Sequence, residues 1–337
     1  MKTEIDILEN DIKERYPEVL DILLRDHTTQ KNIFWATGNY AELGENYQFL
    51  SQILSSAITG ENGHIIMPRV KKDKITQQSR SRFMAEVYTP SWLCNAQNNL
   101  IDYAWFEREH VFNKEILKPD GNRTWVVIDE KIAFTKEKSW KHYIRDNRLE
   151  VACGEAPYIV SRYDTTTGEY IPIERRIGIL DRKLRVINEN VHDSGEWLDA
   201  AQTAYKSTYA YEWQGDSLLL AREAMLITFI ENYFFKFGKE PLLRSIQYMA
   251  YIISWNVWQM DGMKGVIPNS CGSKIESKIT LFGESQSTSA CEGCLKDNIL
   301  KHNGTYALIK DWSNKDLTTG KKGRKLKFVE TFKINKK

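Results

Sequence analysis

The order of short strand-like runs and longer helical patterns between residues 76 and 265 leaves this chain few architectures. Leu149-Glu150-Val151-Ala152-Cys153-Gly154 reads as a strand ending in a small-residue turn, and Thr208-Tyr209-Ala210-Tyr211-Glu212 as a second strand with an acidic end. Helical periodicity follows each of them. It is clearest over 217–237, where Leu218, Ala221, Leu226, Phe229, Ile230 and Phe234 recur at helical intervals. Trp125-Val126-Val127-Ile128, bounded by Gly121-Asn122 and Asp129, reads as a hairpin or edge strand, and Pro90-Ser91-Trp92 opens a helix reaching Phe106. Strand, turn and helix in repetition predict an α/β fold built on a doubly wound, Rossmann-like parallel sheet.

The flanks differ from this centre. Apolar spacing predicts helices over 5–24 and 47–58, so residues 1–75 read as a helical N-terminal region. Residues 266–337 are polar and rich in Lys, Ser and Gly, and end in a strand-like run over 327–332, which makes them a small basic module. The 337 residues accommodate a domain over 76–265 between these two parts. Apolar runs are short, with the run near 248–257 interrupted by Ser254 and Asn256, so no membrane span is expected. The first ten residues mix Lys2, Glu4, Asp6 and Glu9 with apolar positions and lack the basic-then-apolar form of an export signal. With five cysteines, an odd number, the expectation is a cytoplasmic protein without disulfides.

A formal charge of +2 conceals an uneven distribution. From Lys301 onward eleven basic residues stand against three acidic ones, and Arg69, Lys71, Lys72, Lys74, Arg80 and Arg82 form a second basic stretch broken only by Asp73. Either could neutralise phosphates, which makes double-stranded DNA the expected macromolecular partner. Solvated charge is the ordinary use of such runs.

Four segments together carry a cofactor-site pattern. They are Ala85-Glu86-Val87-Tyr88-Thr89-Pro90, Glu150-Val151-Ala152-Cys153-Gly154-Glu155-Ala156, Tyr209-Ala210-Tyr211-Glu212, and Asn256-Val257-Trp258-Gln259-Met260-Asp261-Gly262. A small-residue turn at Cys153-Gly154 lets backbone approach a ligand, Glu212 at a strand end can accept from ribose hydroxyls, and Asp261 can read a base. In this order the segments resemble the cofactor half of N6-adenine DNA methyltransferases of restriction–modification systems, including the small proteins described as restriction endonuclease subunit M. The resemblance implies S-adenosylmethionine as cofactor, held by Tyr88, Thr89, Pro90, Glu150, Ala152, Cys153, Gly154, Glu212 and Asp261. This chain departs from that family's pattern at Glu150-Val151, Glu155-Ala156 and Met260. It also contains no Asn-Pro-Pro-Tyr or Asp-Pro-Pro-Tyr type motif, with which the family holds the flipped adenine. No catalytic residue can therefore be assigned, and the resemblance implies a subunit completed by a second restriction–modification chain, or one that binds without turnover.

Two further patterns bear on metals. Cys291-Glu292-Gly293-Cys294, with Cys271 upstream and His302 downstream, offers a ligand set for a structural zinc site. Pro119-Asp120 followed by Asp129-Glu130-Lys131 has the spacing of a Mg²⁺-dependent nuclease, with two carboxylates for the metal and a lysine for the attacking water. Each half of that second pattern is also an ordinary turn. A non-enzymatic DNA-binding accessory protein is the other alternative to the methyltransferase reading.

Overall fold

The structure, a computed structural model, describes residues 5–7, 9–83, 86–280, 283–316, 320 and 322–334, with the backbone alone described for 274–288, 322, 333 and 334. In chain order the elements used below are α1 (Glu9–Arg15), α2 (Val19–Leu24), α3 (Lys74–Phe83), α4 (Ser91–Phe106), β1 (Asn113–Leu117), β2 (Arg123–Val127), α5 (Trp140–Arg145) and β3 (Arg148–Val151). They continue with α6 (Ile179–Asn190), α7 (Ser194–Lys206), β4 (Thr208–Glu212), α8 (Gly215–Phe237), α9 (Leu243–Asn256) and β5 (Val257–Gln259). The hairpin β6 (Lys274–Thr280) and β7 (Gly283–Ser289), the short α10 (Glu292–Leu295) and the hairpin β8 (Leu308–Lys315) and β9 (Lys322–Lys327) follow.

The fold is mixed α/β around a three-stranded parallel sheet in the order β3-β4-β5. Its register sets Leu149 beside Tyr209, Val151 beside Tyr211, and Tyr211 beside Trp258. Because side chains alternate along a strand, these residues share one face, while Glu150, Ala210 and Val257 share the other. Ala210 and Val257 join a large core with the buried residues of α5 to α9. Tyr211 and Trp258 pack instead on Ala307, Ile309, Leu326 and Phe328 from the β8–β9 region. A doubly wound sheet was expected to carry helices on both faces. Here helices cover one face and an antiparallel hairpin covers the other, and no strand pairs with the free side of β3 among the described residues.

Local chemistry explains where elements stop. α8 ends at Gly238, whose left-handed φ of 67° lets its N–H return to the Phe234 carbonyl at 2.8 Å. α7 begins under the Asp193 side chain, which accepts from the N–H groups of Gly195 and Glu196. The helix expected over 5–24 is two short helices, because Pro17 cannot supply an N–H and Glu18 turns to φ 68°. The helix expected over 47–58 is absent: this stretch is a run of bends and turns, with short 3-10 turns at Glu45–Tyr47 and Ser55–Ala57, and Ile53 N donates to Ile33 O. The final strand expected over 327–332 ends at Lys327 and gives way to a 3-10 turn.

Residues 1–75 have no core of their own among the described residues. Val19, Leu20, Leu23 and Leu24 of α2 share the main core with Ile246 and Met249 of α9. The boundaries read at 75 and 265 mark changes of sequence pattern within continuous packing. No helix is long and apolar enough to cross a membrane among the described residues.

Two glutamates sit in this core without hydrogen-bond partners among the described residues. Glu9 of α1 and Glu223 of α8 are fully buried, and all four carboxyl oxygens lack a hydrogen bond. Burial pushes Glu9 up to about 8, opposed by its own N–H and reinforced by Asp6, and burial beside Glu9 pushes Glu223 well above the usual range. A carboxyl raised on folding contributes stability that is present below its unfolded value and lost as pH rises through the folded one. Glu223→Gln is therefore expected to match the parent near pH 5 and to exceed its stability by on the order of 1–2 kcal/mol at pH 8, read from urea midpoints. A constant difference between the two pH values would show that the pair does not titrate on unfolding.

Candidate cofactor cleft and metal centre

The turn after β3 combines unusual backbone with close packing. Ala152, Gly154 and Ala156 all adopt left-handed φ, at 53°, 53° and 60°. For the two alanines this costs about 1–2 kcal/mol each, a strain that hydrogen bonds to β4 hold in place. Cys153 N donates to Tyr211 O at 2.9 Å, which prolongs the parallel ladder, and Gly154 N donates to Glu212 Oε2 at 2.8 Å. Glu212 Oε1 accepts from the N–H groups of Trp213 and Gln214 at 2.8 and 3.2 Å.

Between these strand ends lies a cleft of about 560 Å³, a size ordinary for small-molecule sites. Tyr88, Thr89, Glu150, Ala152, Cys153, Gly154 and Glu212 line it, so seven residues read from three separate sequence segments meet in one place. Pro90 borders a neighbouring, more polar cleft instead. Asp261 does not line the main cleft: its carboxylate caps its own turn by accepting from Met263 N and Lys264 N. Sequence reasoning missed the aromatic walls: Phe49 and Phe83 come from the N-terminal region, and Tyr158 and Trp213 stand just beyond the residues read as cofactor-binding, where no motif marks them.

The cleft is acidic. Glu86, Glu150, Glu155 and Glu212 line it, and among the described residues no Lys, Arg or His does. Three of these carboxylates are already engaged: Glu86 by Arg80, Glu212 by three backbone N–H groups, and Glu155 by the hydroxyls of Tyr163 and Tyr88 at 2.5 and 3.2 Å and by Arg69 N at 2.7 Å. Glu150 stands apart. Among the described residues its Oε1 accepts from the Tyr158 N–H at a long 3.4 Å, while the buried Oε2 has no hydrogen-bond partner. Burial pushes the Glu150 carboxyl well above the usual range. Burial likewise raises the Cys153 thiol, which makes it a packing residue and a poor nucleophile.

One wall of the cleft is tied down by a buried ion lattice. Asp216, in the first turn of α8, is fully buried and takes Arg80 Nη1 at 2.8 Å, the Tyr40 hydroxyl at 2.8 Å and Lys72 Nζ at 3.5 Å. Burial alone would raise the Asp216 carboxyl, but Arg80 and Lys72 hold it far below the usual range. Arg80 also pairs with Glu86. Lys71 pairs with Asp6, and Arg69 lies 4.8 Å over the Tyr88 ring. Within the basic stretch Lys72 and Arg80 are thus buried and paired, while Lys71, Lys74 and Arg82 stay exposed at the surface.

The nuclease pattern is dispersed. Asp120 sits at the tip of the β1–β2 hairpin, where it accepts from Asn122 N, while Asp129 and Lys131 follow β2 at the hairpin base. Five residues of strand, on the order of 17 Å, separate the carboxylates, too far to share one metal ion.

The four residues read as zinc ligands do converge. Cys271, Cys291, Cys294 and His302 present one ligand atom each, all within 4.8 Å of one another. Cys271 Sγ lies 3.3 Å from Cys291 Sγ, 3.5 Å from Cys294 Sγ and 3.4 Å from His302 Nδ1. A tetrahedral zinc centre with bonds of about 2.3 Å to sulfur and 2.0 Å to nitrogen has ligand-to-ligand edges of about 3.5–3.8 Å, so this cluster could bind a metal such as zinc.

Comparison with protein-family models, with curated proteins and with solved structures returns no match for this chain.

Removing one partner from a buried ion lattice strands the others. Asp216→Ala is expected to cost about 3–5 kcal/mol in denaturant unfolding, while Lys74→Ala, at an exposed position of the basic stretch, is expected to change stability by less than about 0.5 kcal/mol. Equal effects would remove the distinction between lattice and surface charge.

Proposed function

We propose that this chain is the S-adenosylmethionine-binding subunit of an N6-adenine DNA methyltransferase in a restriction–modification system. The observation that carries the reading is Glu150, a buried carboxylate in the wall of a cleft with four glutamates, where among the described residues one of its oxygens has no partner and no basic group lines the site. Such a cleft disfavours phosphate-bearing cofactors, which need cationic or N–H-rich cradles. It favours a nucleoside ligand with a cationic end. S-adenosylmethionine carries a sulfonium and an ammonium group beside its adenosine, and the aromatic walls suit its base.

The cleft's position at the carboxyl ends of adjacent parallel strands agrees with ligand binding in open α/β sheets. β3 is an edge strand whose Leu149 and Val151 are 44% and 63% exposed. That edge has room for the further strands of a Rossmann-like methyltransferase sheet, supplied by a second restriction–modification subunit. The bound cofactor supplies an electrophilic methyl group for an adenine amino nitrogen. This chain's part is to hold the ligand through Glu150 and Glu212 and to keep the 152–156 turn in close approach. Since the sequence lacks an Asn/Asp-Pro-Pro-Tyr motif, the group that holds the flipped adenine in double-stranded DNA belongs to the partner.

A purely DNA-binding accessory role has less support, because Lys72 and Arg80 are buried and paired.

Titration calorimetry tests the reading. S-adenosylmethionine is expected to bind, its neutral product S-adenosylhomocysteine more weakly, and NAD or ATP not at all. Because Glu150 has a raised carboxyl in the free protein and a cation favours its ionised form, binding is expected to release a proton and to tighten from pH 6 to pH 8. Glu150→Gln is expected to weaken affinity roughly ten- to hundredfold, the worth of about 1.5–3 kcal/mol for a charged hydrogen bond. Phosphate-bearing ligands binding as well as S-adenosylmethionine, or Glu150→Gln leaving affinity unchanged, would overturn it.

A further inference from the structure

We infer that Cys271, Cys291, Cys294 and His302 form a closed, structural Zn²⁺ centre that organises the segment from 271 to 305 and fastens it beside β5. The inference is independent of what the cleft binds.

The described side chains of this segment bury little apolar surface. Among its described side chains Cys291 is the only buried hydrophobic one, while Leu295 is 72% and Leu300 42% exposed. A stretch of this length with so little core is the situation in which small modules rely on a metal. The ligands come from three places along it: Cys271 before the β6–β7 hairpin, Cys291 and Cys294 at α10 after it, and His302 in the loop leading to β8. A single ion would therefore clamp the base of the hairpin and close both of its ends onto one point.

The surroundings fit a built site. Gly293 has no room for a side chain, since a Cβ there would lie 2.6 Å from His302 N and 2.7 Å from His302 Nδ1. At Gly304 a Cβ would meet Ser270 Oγ at 2.7 Å and Cys271 N at 2.9 Å. Both glycines bring the ligand-bearing loops together more closely than any other residue allows. Asn303 joins the two loops in both directions, accepting from Gly272 N and donating to Gly272 O, and its own N–H donates to Cys291 Sγ at 3.3 Å. His302 N donates to the Tyr306 hydroxyl, which donates to Ile299 O. Such outer bonds orient metal ligands.

The donor set selects the metal and its role. Three thiolates and one imidazole in a compact tetrahedron suit Zn²⁺, and four protein ligands leave no open position for a substrate or water. On binding, the three thiol protons pass to solvent. The pairing of Ile267 with Thr305 and of Ala307 with Gly265 then continues from the metal into β8, whose Ile309 covers Tyr211 and Trp258.

Elemental analysis of the full chain, purified without chelator, is expected to give one zinc per molecule. Replacement by Co²⁺ is expected to give the intense visible bands of tetrahedral thiolate coordination. Cys294→Ser removes an exposed ligand and is expected to lose the stoichiometric metal, while Gly293→Ala, which removes no ligand, is expected to weaken binding about ten- to hundredfold. A chelator is expected to speed proteolysis within 271–305 and to leave the helical core resistant. Absence of metal, an octahedral Co²⁺ spectrum, or a Cys271–Cys291 disulfide that makes the chain two hydrogens lighter would overturn the site. Unchanged proteolysis on metal removal would overturn its structural role.

Discussion

The fully buried Asp216 carboxylate governs how this chain is assembled around its cleft. A desolvated charge of that kind is tolerable only when its partners are held in good geometry. Here those partners are Arg80, Lys72 and Tyr40, drawn from segments more than a hundred residues away. Satisfying Asp216 brings 40, 72 and 80 to the start of α8, and Arg80 in turn brings Glu86. The cleft wall of Phe83, Glu86 and Tyr88 exists because this charge needed company.

The same lattice explains the electrostatic character of the cleft. Arg80 and Lys72 are spent on Asp216, and Arg69 is laid over the Tyr88 ring, so no cation lines the cleft among the described residues. The glutamates remain. Three of them are neutralised or hydrogen-bonded within the wall, and Glu150 alone keeps a buried oxygen without a donor. On the function proposed above, an acidic cleft at parallel strand ends favours a cationic nucleoside over a phosphate-bearing ligand.

Two different physical strategies hold the two parts of the chain. The main core buries large apolar side chains from α2, α5 to α9 and the sheet, and tolerates even the unpartnered Glu9 and Glu223. Among the described side chains of 271–305 almost no apolar one is buried, and three thiols and an imidazole gather there. Between them, Tyr211 and Trp258 form a small second core with Ile309, Leu326 and Phe328, which joins the basic module to the uncovered face of the sheet.

Local patterns determined a definite portion of this protein. Thr208–Glu212 was legible as a strand and 217–237 as a helix, because alternation and helical spacing are properties of neighbouring residues. The Cys-x-x-Cys pair with Cys271 and His302, and the convergence of Tyr88, Glu150, Gly154 and Glu212, were legible because their chemistry imposes spacing and strand-end placement. Tertiary structure alone decided the rest. Pairing of Arg80 with Asp216 made a basic stretch into a scaffold, and packing of the β8–β9 hairpin on Tyr211 and Trp258 replaced an expected layer of helices. Asp261 turned into its own loop, and the hairpin's length parted Asp120 from Asp129. These outcomes depend on contacts between residues far apart in sequence, where desolvation and pairing are settled by what the folded chain brings near, and no local pattern records them.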